Sequence, residues 1–398
     1  MMLKTSFLDP KPSWLLEPEL QGILTTLNGR LVGGSVRETL LGHKLNDFDI
    51  ATPFTPEKAS SRLQEKQYRI IPTGIKHGTI TAIGKNHHYE ITSLRRDIET
   101  FGRHATISYT DSWEEDALRR DFTYNALYCD HEGVIYDYTD GLKDLETKFL
   151  RFIGDPRQRI QEDYLRILRY FRFLSQYDGT LHEDSYEAAC YFANHLKKLS
   201  GERLYTELLK LLTNPYALKS LQLMEKGNVL HHLMPYDVDL SLITKLYNSK
   251  IKTTSTEFKF FLLTFPQHQD EIKLLKKTFK LSNKTEHYLR YLIQKIGETS
   301  IAAEYSFYHF LYIHDKETTR DWLLLQLLLE CIDIKTYQQF LNFIKYWVKK
   351  PMPINASDLK DKGFKDGPSL GIALQKVLSA WINSGFNLTK EECYKIII

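Results

Sequence analysis

The chain of 398 residues reads as an α+β protein: a small mixed head over residues 27–150 followed by a long helical body. Three observations predict this. Short runs of β-forming residues, bounded by Gly and polar turns, recur until about Tyr138 and then fade. From about Leu142 onward, apolar residues recur with helical spacing to the end. Hydrophobic residues make up 42% and charged residues 26% of the sequence, which is ordinary for a globular chain that must bury a core.

Taken in order, residues 1–26 form a leader with a small helix near Glu17. Residues 31–32 form a strand, and Gly33-Gly34 breaks it. Residues 69–72, 78–83 and 88–94 read as further strands. Two more, 124–128 and 134–138, are joined by a hairpin turn at Asp130-His131-Glu132-Gly133. Helices are predicted over 160–174, 204–212, 217–224, 286–296, 322–332 and 337–347. The domains expected are the leader, a head at 27–150, a neck of helices at 151–214, and a body and tail at 215–398. Pro215, Pro266 and Pro351-Met352-Pro353 are the candidate hinges.

The bulk numbers exclude several classes. A net charge of +3 shows no overall basicity, so a nucleic-acid partner needs locally gathered cations. Cys129, Cys190, Cys331 and Cys393 lie far apart, which argues against a disulfide framework and a structural zinc. Residues 1–14 lack the apolar centre of a signal peptide. The most apolar stretch, 322–329, is too short to span a bilayer, so no membrane role and a cytoplasmic location are expected. No obligatory protein partner is evident.

The densest chemistry lies in residues 31–52, LVGGSVRETLLGHKLNDFDIAT. The paired glycines let the backbone approach a ligand and turn N–H groups toward it, which suits phosphate. Arg37, one helical turn further, adds charge. Asp47-Phe48-Asp49-Ile50 alternates acid and apolar, so in a strand both carboxylates share a face, about 6.5–7 Å apart at Cα. Such a pair repels itself unless a cation intervenes, and hard oxygen donors suit Mg²⁺. Phosphate cradle and metal carboxylates in one short stretch point to nucleotidyl transfer. Singly, the glycines are an ordinary turn and the acids a solvated strand edge.

GGSVRETLLGHKLNDFDI resembles the first signature of the bacterial class II tRNA nucleotidyltransferase and poly(A) polymerase family, a branch of the DNA polymerase β superfamily. The resemblance implies a polymerase-β-like head with an elongated all-helical neck, body and tail. It also implies catalytic, metal-holding roles for Asp47 and Asp49, and triphosphate binding by Gly33, Gly34 and Arg37. Glu38 departs from the pattern, which usually has Asp there. Residues 89–95, YEITSLR, form a strand beside the Asp47 strand, placing Glu90 as a candidate third carboxylate or, equally, as a surface acid. Residues 96–109, RDIETFGRHATISY, read as a mobile loop; in the family such a loop helps the site pass from adding C to adding A. Residues 114–127, EEDALRRDFTYNAL, resemble the second signature. Arginine binds phosphate bidentately and keeps its charge, so Arg120 is assigned to the triphosphate, with Arg119 the lesser candidate. The alternative is a salt-bridged turn in which Asp121 pairs an arginine.

Residues 153–173, IGDPRQRIQEDYLRILRYFRF, resemble the family's nucleotide-selecting helix. Asp163, Arg166, Arg169 and Arg172 recur at i, i+3, one turn apart on a helix. Cytosine and adenine each present an exocyclic amine beside a ring-nitrogen acceptor, whereas uracil and guanine present a carbonyl and a ring N–H. A carboxylate next to a guanidinium therefore pairs with C or A and leaves U or G facing like partners. Asp163 is assigned to the amine and Arg166 to the ring nitrogen. Glu162 orients Arg166, and Arg169 and Arg172 reach phosphate or brace the pair. Ordinary intrahelical ion pairs are the bland alternative. In residues 201–212, Glu202 and Arg203 read as scaffold with Arg203 a candidate RNA contact. Aromatics and lysines interleave at 258–261 and 343–350. Most of the aromatics are expected in the core, and the lysines are candidate contacts to an RNA backbone. The first cluster is the weaker, because Glu257 offsets Lys259. Residues 353–377 resemble the family tail, with Asp358 and Ser369 as N-caps.

The function expected is CCA addition to the tRNA 3′ end from CTP and ATP, without a nucleic-acid template and with release of pyrophosphate. The alternatives are a poly(A) polymerase, a CC-only or A-only enzyme, a small-molecule nucleotidyltransferase, and a non-catalytic RNA-binding protein of the same fold.

Overall fold

A computed structural model of the chain describes residues 3–45, 47–75, 78–101, 104–249, 251, 255–294 and 303–397. It contains two compact units, Met1–Pro235 and Tyr236–Ile398. No helix among the described residues is long and apolar enough to cross a membrane.

In the first unit, β1 (Lys4–Phe7), β2 (Arg30–Val32), β3 (Phe48–Thr52), β4 (Arg69–Gly74), β5 (Thr79–Ile83) and β6 (His88–Ser93) are strands. The next pair, β7 (Arg95–Phe101) and β8 (His104–Tyr109), forms a separate antiparallel hairpin. β9 (Leu127–Cys129) and β10 (Val134–Asp137) follow. Eight of these make one sheet in the order β1-β10-β9-β2-β3-β6-β5-β4. β3 and β6 run parallel, with Asp49 opposite Glu90. In the residues read as a leader, the small helix expected near Glu17 is α1 (Pro18–Leu27), and Lys4–Phe7 adds an edge strand antiparallel to β10. The residues expected as an irregular loop form the β7–β8 hairpin. β-branched Ile98, Thr100, Thr106 and Ile107 give these segments the propensity that the reading as a loop undervalued. Gly102 of that expectation lies outside the described residues.

Alternation on β3 decides which face does what. Phe48 and Ile50 are buried on one side, and Phe48 packs against Trp14, His87 and Tyr89. Helices α1 (Pro18–Leu27), α2 (Gly34–Leu40) and α3 (Pro56–Glu65) come next in the chain. α1 buries Leu20, Ile23, Leu24 and Leu27 and stops at Asn28, whose φ of 46° ends the helix in the left-handed region. Val32, Ala51, Leu94, Ala117, Ala126, Tyr128 and Ile153 form another core cluster. α4 (Trp113–Leu118) is capped by Ser112. The strand expected at 124–128 begins only at Leu127, because Thr123–Asn125 form a 3-10 turn. The Asp121 carboxylate holds that turn by accepting from the Phe122 N–H and the Asn125 amide.

Beyond α5 (Gly141–Glu146), the single helix expected at 160–174 is two helices, α6 (Pro156–Glu162) and α7 (Leu165–Tyr177). Asp163 is extended, at φ −154° and ψ 108°. Its carboxylate accepts from the Leu165 N–H at 3.1 Å, a local bond that competes with helix continuation. Arg166, Arg169 and Arg172 keep their common side of α7; Asp163 stands just outside it. α8 (Glu183–Tyr191), α9 (Gly201–Thr213), α10 (Ala217–Lys226) and α11 (Val229–Leu233) complete the unit, with α9 and α10 packed on α7.

Every described regular element of the second unit is a helix. Phe258, Phe260 and Phe261 are fully buried, as expected, but Lys259 between them is not a free cation for RNA: it lies over the Tyr247 ring. The tail closes around Ile354, Leu359, Leu370, Val377 and Cys393. Its N-caps differ from those expected. Asn355 caps the helix at Ala356–Lys360, with Asp358 reciprocating from its third position, and Gly367 precedes the helix at Pro368–Asn383.

Candidate active site

The strand-to-helix turn places the first functional groups. Gly33 has φ +61° and ψ −114°, a backbone that favours glycine. Its N–H bonds to the Leu127 carbonyl, and its carbonyl accepts the Arg37 N–H that starts α2. A Cβ on Gly34 would sit 3.5 Å from Asp49 Oδ2 and 3.8 Å from Arg37 Nη2, filling the space between acid and guanidinium. The Ser35 hydroxyl ties the turn to β3, donating to the Asp47 carbonyl (3.2 Å) and accepting from the Asp49 N–H (2.8 Å).

These groups open on a cavity of about 440 Å³. Gly33, Gly34, Asp49, Thr79, Glu90 and Thr92 line its sheet side. Arg37, Arg119, Arg120, Asp121, Arg169 and Arg172 line its helical side. A larger cavity of about 550 Å³ shares Phe173 with it but has no acid in its wall. Burial pushes the Asp49 carboxyl up to about 6, helped by Glu90 and Asp47 and opposed by Arg120 and Arg37. Asp47 precedes the strand, is exposed, and does not line the cavity.

The arginine wall is held by buried acids. Asp116 on α4 is 1% exposed. Its Oδ2 accepts from Arg120 (Nη2, 2.9 Å) and the Tyr128 hydroxyl (2.8 Å), its Oδ1 from Arg119 (Nε, 2.8 Å). Burial alone would raise its pKa, but Arg120 and Arg119 outweigh it and hold the carboxyl well below the usual range. Asp121 does pair with an arginine, though from another element: Arg169 donates to it through Nε (2.8 Å) and Nη2 (2.5 Å). Burial again opposes ionisation of Asp121, and Arg169 and Asn125 overcome it. Arg172 donates to Glu207 of α9 at 2.7 Å.

The base-reading candidates stand at the far end of α7. Arg166 Nη1 donates to the Arg159 carbonyl (2.7 Å) and to Glu162, the partner expected to orient it. Asp163 accepts from Arg203 Nη2 at 2.7 Å. Neither Asp163 nor Arg166 lines the Asp49 cavity. Arg166 lies one turn before Arg169 on α7, and its charge is felt at Asp121. The structure therefore gathers Gly33, Gly34, Arg37, Asp49, Glu90, Arg120, Arg169 and Arg172, and leaves Asp47, Asp163 and Arg166 outside that lining. Sequence reasoning missed Asp116, Asn125, Tyr177 and Glu207. Asp116 had a signal, since it precedes Arg119 and Arg120 by three and four residues on a helix. Glu207 and Tyr177 had none, because their partners are distant in sequence.

Acids on adjacent inner strands beside a glycine turn, faced by a wall of arginines, are the arrangement of a nucleotidyltransferase. Residues 29–151 match the family described as "Poly A polymerase head domain", and residues 180–237 match "Probable RNA and SrmB- binding site of polymerase A". The chain is 33% identical over 377 residues to the mouse (Mus musculus) protein named CCA tRNA nucleotidyltransferase 1, mitochondrial, covering 92% of this chain and 86% of that one. It is 33% identical to the CCA-adding enzyme of Streptococcus pyogenes, covering 87% and 86%. The fold is similar to the crystal structure of the Bacillus stearothermophilus CCA-adding enzyme in complex with CTP, with a TM-score of 0.78, 25% identity and 97% of each chain covered. The chain belongs to the family of CCA-adding enzymes and poly(A) polymerases.

Proposed function

We propose that the protein adds C, C and A to the 3′ end of tRNA from CTP and ATP, templated by its own side chains. The observation that carries this reading is the cavity that sets Asp49 and Glu90 against Arg37, Arg120, Arg169 and Arg172. Arg166 lies one turn before Arg169 on the same helix. The relatives named as CCA-adding enzymes support the reading over nearly the whole chain.

The Gly33–Gly34 turn, Arg37 and Arg120 hold the triphosphate so that the RNA 3′-oxygen attacks the α-phosphorus in line and pyrophosphate departs. Among the described residues, no protein cation pairs with Asp47, Asp49 or Glu90, and no cluster of three His, Cys, Asp or Glu side chains is a metal site by itself. Hard oxygen donors in no ion pair with a protein cation fit Mg²⁺. Asp47 and Asp49, with Glu90 on the adjacent strand, would hold it, and it would supply Lewis-acid charge for the hydroxyl and the departing pyrophosphate.

Asp163 accepts from the amine of C or A, and Arg166 donates to the adjoining ring nitrogen. Both are engaged already, yet each carboxylate oxygen of Asp163 keeps a second lone pair, and the described bonds of Arg166 leave Nη2 free. Arg169 and Arg172 brace this pair. The β7–β8 hairpin, present where the family's switching loop is expected, favours complete CCA addition over CC addition. The helical body grips tRNA by shape and charge. Four cysteines free of disulfides suit the reducing cytoplasm, where we place the protein; fractionation of cells carrying a tagged copy tests that.

The deciding experiment incubates tRNA lacking its 3′ end with CTP alone, ATP alone and both, and sequences the products. Two C residues followed by one A support the reading. Long A tracts, or arrest after CC, assign the protein to another member activity of the same family.

A further inference from the structure

Glu38 on α2 joins more elements than a partner for its neighbour Arg37 requires. Its Oε1 accepts from Arg37 (Nη2, 2.8 Å), from the Tyr177 hydroxyl (2.5 Å) and from the Gln176 amide (3.2 Å). Its Oε2 faces His43 Nδ1 at 2.8 Å. The Tyr177 oxygen also accepts from Arg37 Nε at 2.7 Å, and Arg37 Nη1 donates to Asn125. Gln176 and Tyr177 end α7, the helix whose earlier turns carry Arg169 and Arg172 into the cavity. Gly34 and Arg37, on α2, line the same cavity. Two of its walls are therefore fastened to each other at one carboxylate.

A helix is stiff along its axis, rising about 1.5 Å per residue. A shift of Tyr177 against Glu38 is then passed to Arg172, little more than one turn away, and to Arg169 beyond it. We infer that Glu38 is a positioning residue, fixing the distance between the glycine turn and α7 and so fitting triphosphate and base to the site together. The inference rests on the proposed nucleotidyl transfer and deepens it. Glu38 touches no reacting atom; it acts through Arg37 and Tyr177.

Three substitutions separate this role from simple neutralisation of Arg37. Tyr177→Phe removes one donor from Glu38 and leaves every charge. Glu38→Asp keeps the charge beside Arg37 but shortens the reach by a methylene. Glu38→Gln removes the charge at constant shape. The expected result is a KM for CTP and ATP raised about tenfold in Glu38→Gln and about threefold in the other two, with kcat nearly unchanged and more UMP and GMP misincorporated. Tyr177→Phe also takes an acceptor from Arg37 Nε, so the double variant Glu38→Gln/Tyr177→Phe should fall short of the combined single effects, since both loosen one network. Wild-type KM and selectivity in both Tyr177→Phe and Glu38→Asp would overturn the inference, as would additive effects in the double variant. Calorimetric binding of CTP and ATP without RNA, on variants whose thermal unfolding matches wild type, reads the same contact independently. If wild-type protein adds nothing to tRNA but binds nucleotides, the functional reading fails and the variants still decide the role of Glu38.

Discussion

The two walls of the cavity are built on opposite plans. On the helical side the charged groups arrive with partners: Arg119 and Arg120 share Asp116, Arg169 is clamped by Asp121, and Arg172 is held by Glu207. On the sheet side, Asp49 and Glu90 stand in register on adjacent strands with no bonded protein cation among the described residues. A partnered guanidinium is fixed before a nucleotide arrives, so little ordering remains to be done on binding. An unpartnered acid pair is costly until a cation arrives. The helical wall is thus preorganised, and the sheet wall waits for charge.

The largest expected effect breaks the sheet wall. Asp49→Asn should lower the rate of CMP incorporation by at least about a thousandfold, some 4 kcal/mol of barrier, while tRNA affinity in filter binding stays unchanged. Equal loss of affinity and turnover would show that Asp49 shapes the fold rather than the chemistry.

Next is the helical wall. Asp116→Asn leaves two half-buried arginines short of their buried anion and should cost about 3–5 kcal/mol of stability in urea unfolding. The same group sharpens the comparison through pH. The folded carboxyl is depressed, so its contribution is complete above the ordinary value near 3.8 and is lost as pH falls below it toward the folded pKa. Wild type should therefore lose this stability only in strong acid, and the variant should lack that part of the acid transition. A variant as stable as wild type would show that the arginines do not need their acid.

A smaller effect is expected at Asp163, the proposed base-reading acid. Asp163→Ala should relax the preference for C and A over U and G by about ten- to a hundredfold, matching 1–3 kcal/mol for a mismatched polar pair, with the phosphoryl-transfer rate less affected. Retained selectivity in nucleotide competition would end the base-reading role.

The smallest concerns exposed lysines of the second unit. Lys345 lies over the Tyr346 ring and Lys349 over the Tyr312 ring, and Lys350 beside them is exposed too. Lys350→Gln should weaken tRNA binding modestly and reduce the salt dependence of log K by less than one phosphate contact, a slope change of about 0.7–0.9 at most. Unaltered salt dependence would remove this lysine from the RNA surface.

Some of this was legible in the chain. The division into mixed head and helical body follows from a change of apolar period, and period is a local property. The glycine turn, the acid on β3, and Arg120 beside its strand were found for the same reason: each motif is contiguous. Less legible were the breaks. Asp163 leaves the helix because its carboxylate captures the Leu165 N–H, which i, i+3 spacing does not reveal. In the leader, Lys4–Phe7 became a strand because an open edge at β10 was there to receive it. Partnerships were least legible. Asp121 with Arg169, Arg172 with Glu207, and Glu38 with Tyr177 each join positions far apart in the chain.

What the sequence determined by itself was the chemical inventory: alternating acids, paired glycines, and an acid and arginines at i, i+3. Tertiary structure decided which of these groups face one another and which are locked before substrate binds. The reason is physical. Residue type and local spacing set what a segment can form, whereas the charge state, reach and rigidity of a side chain depend on neighbours that only folding delivers.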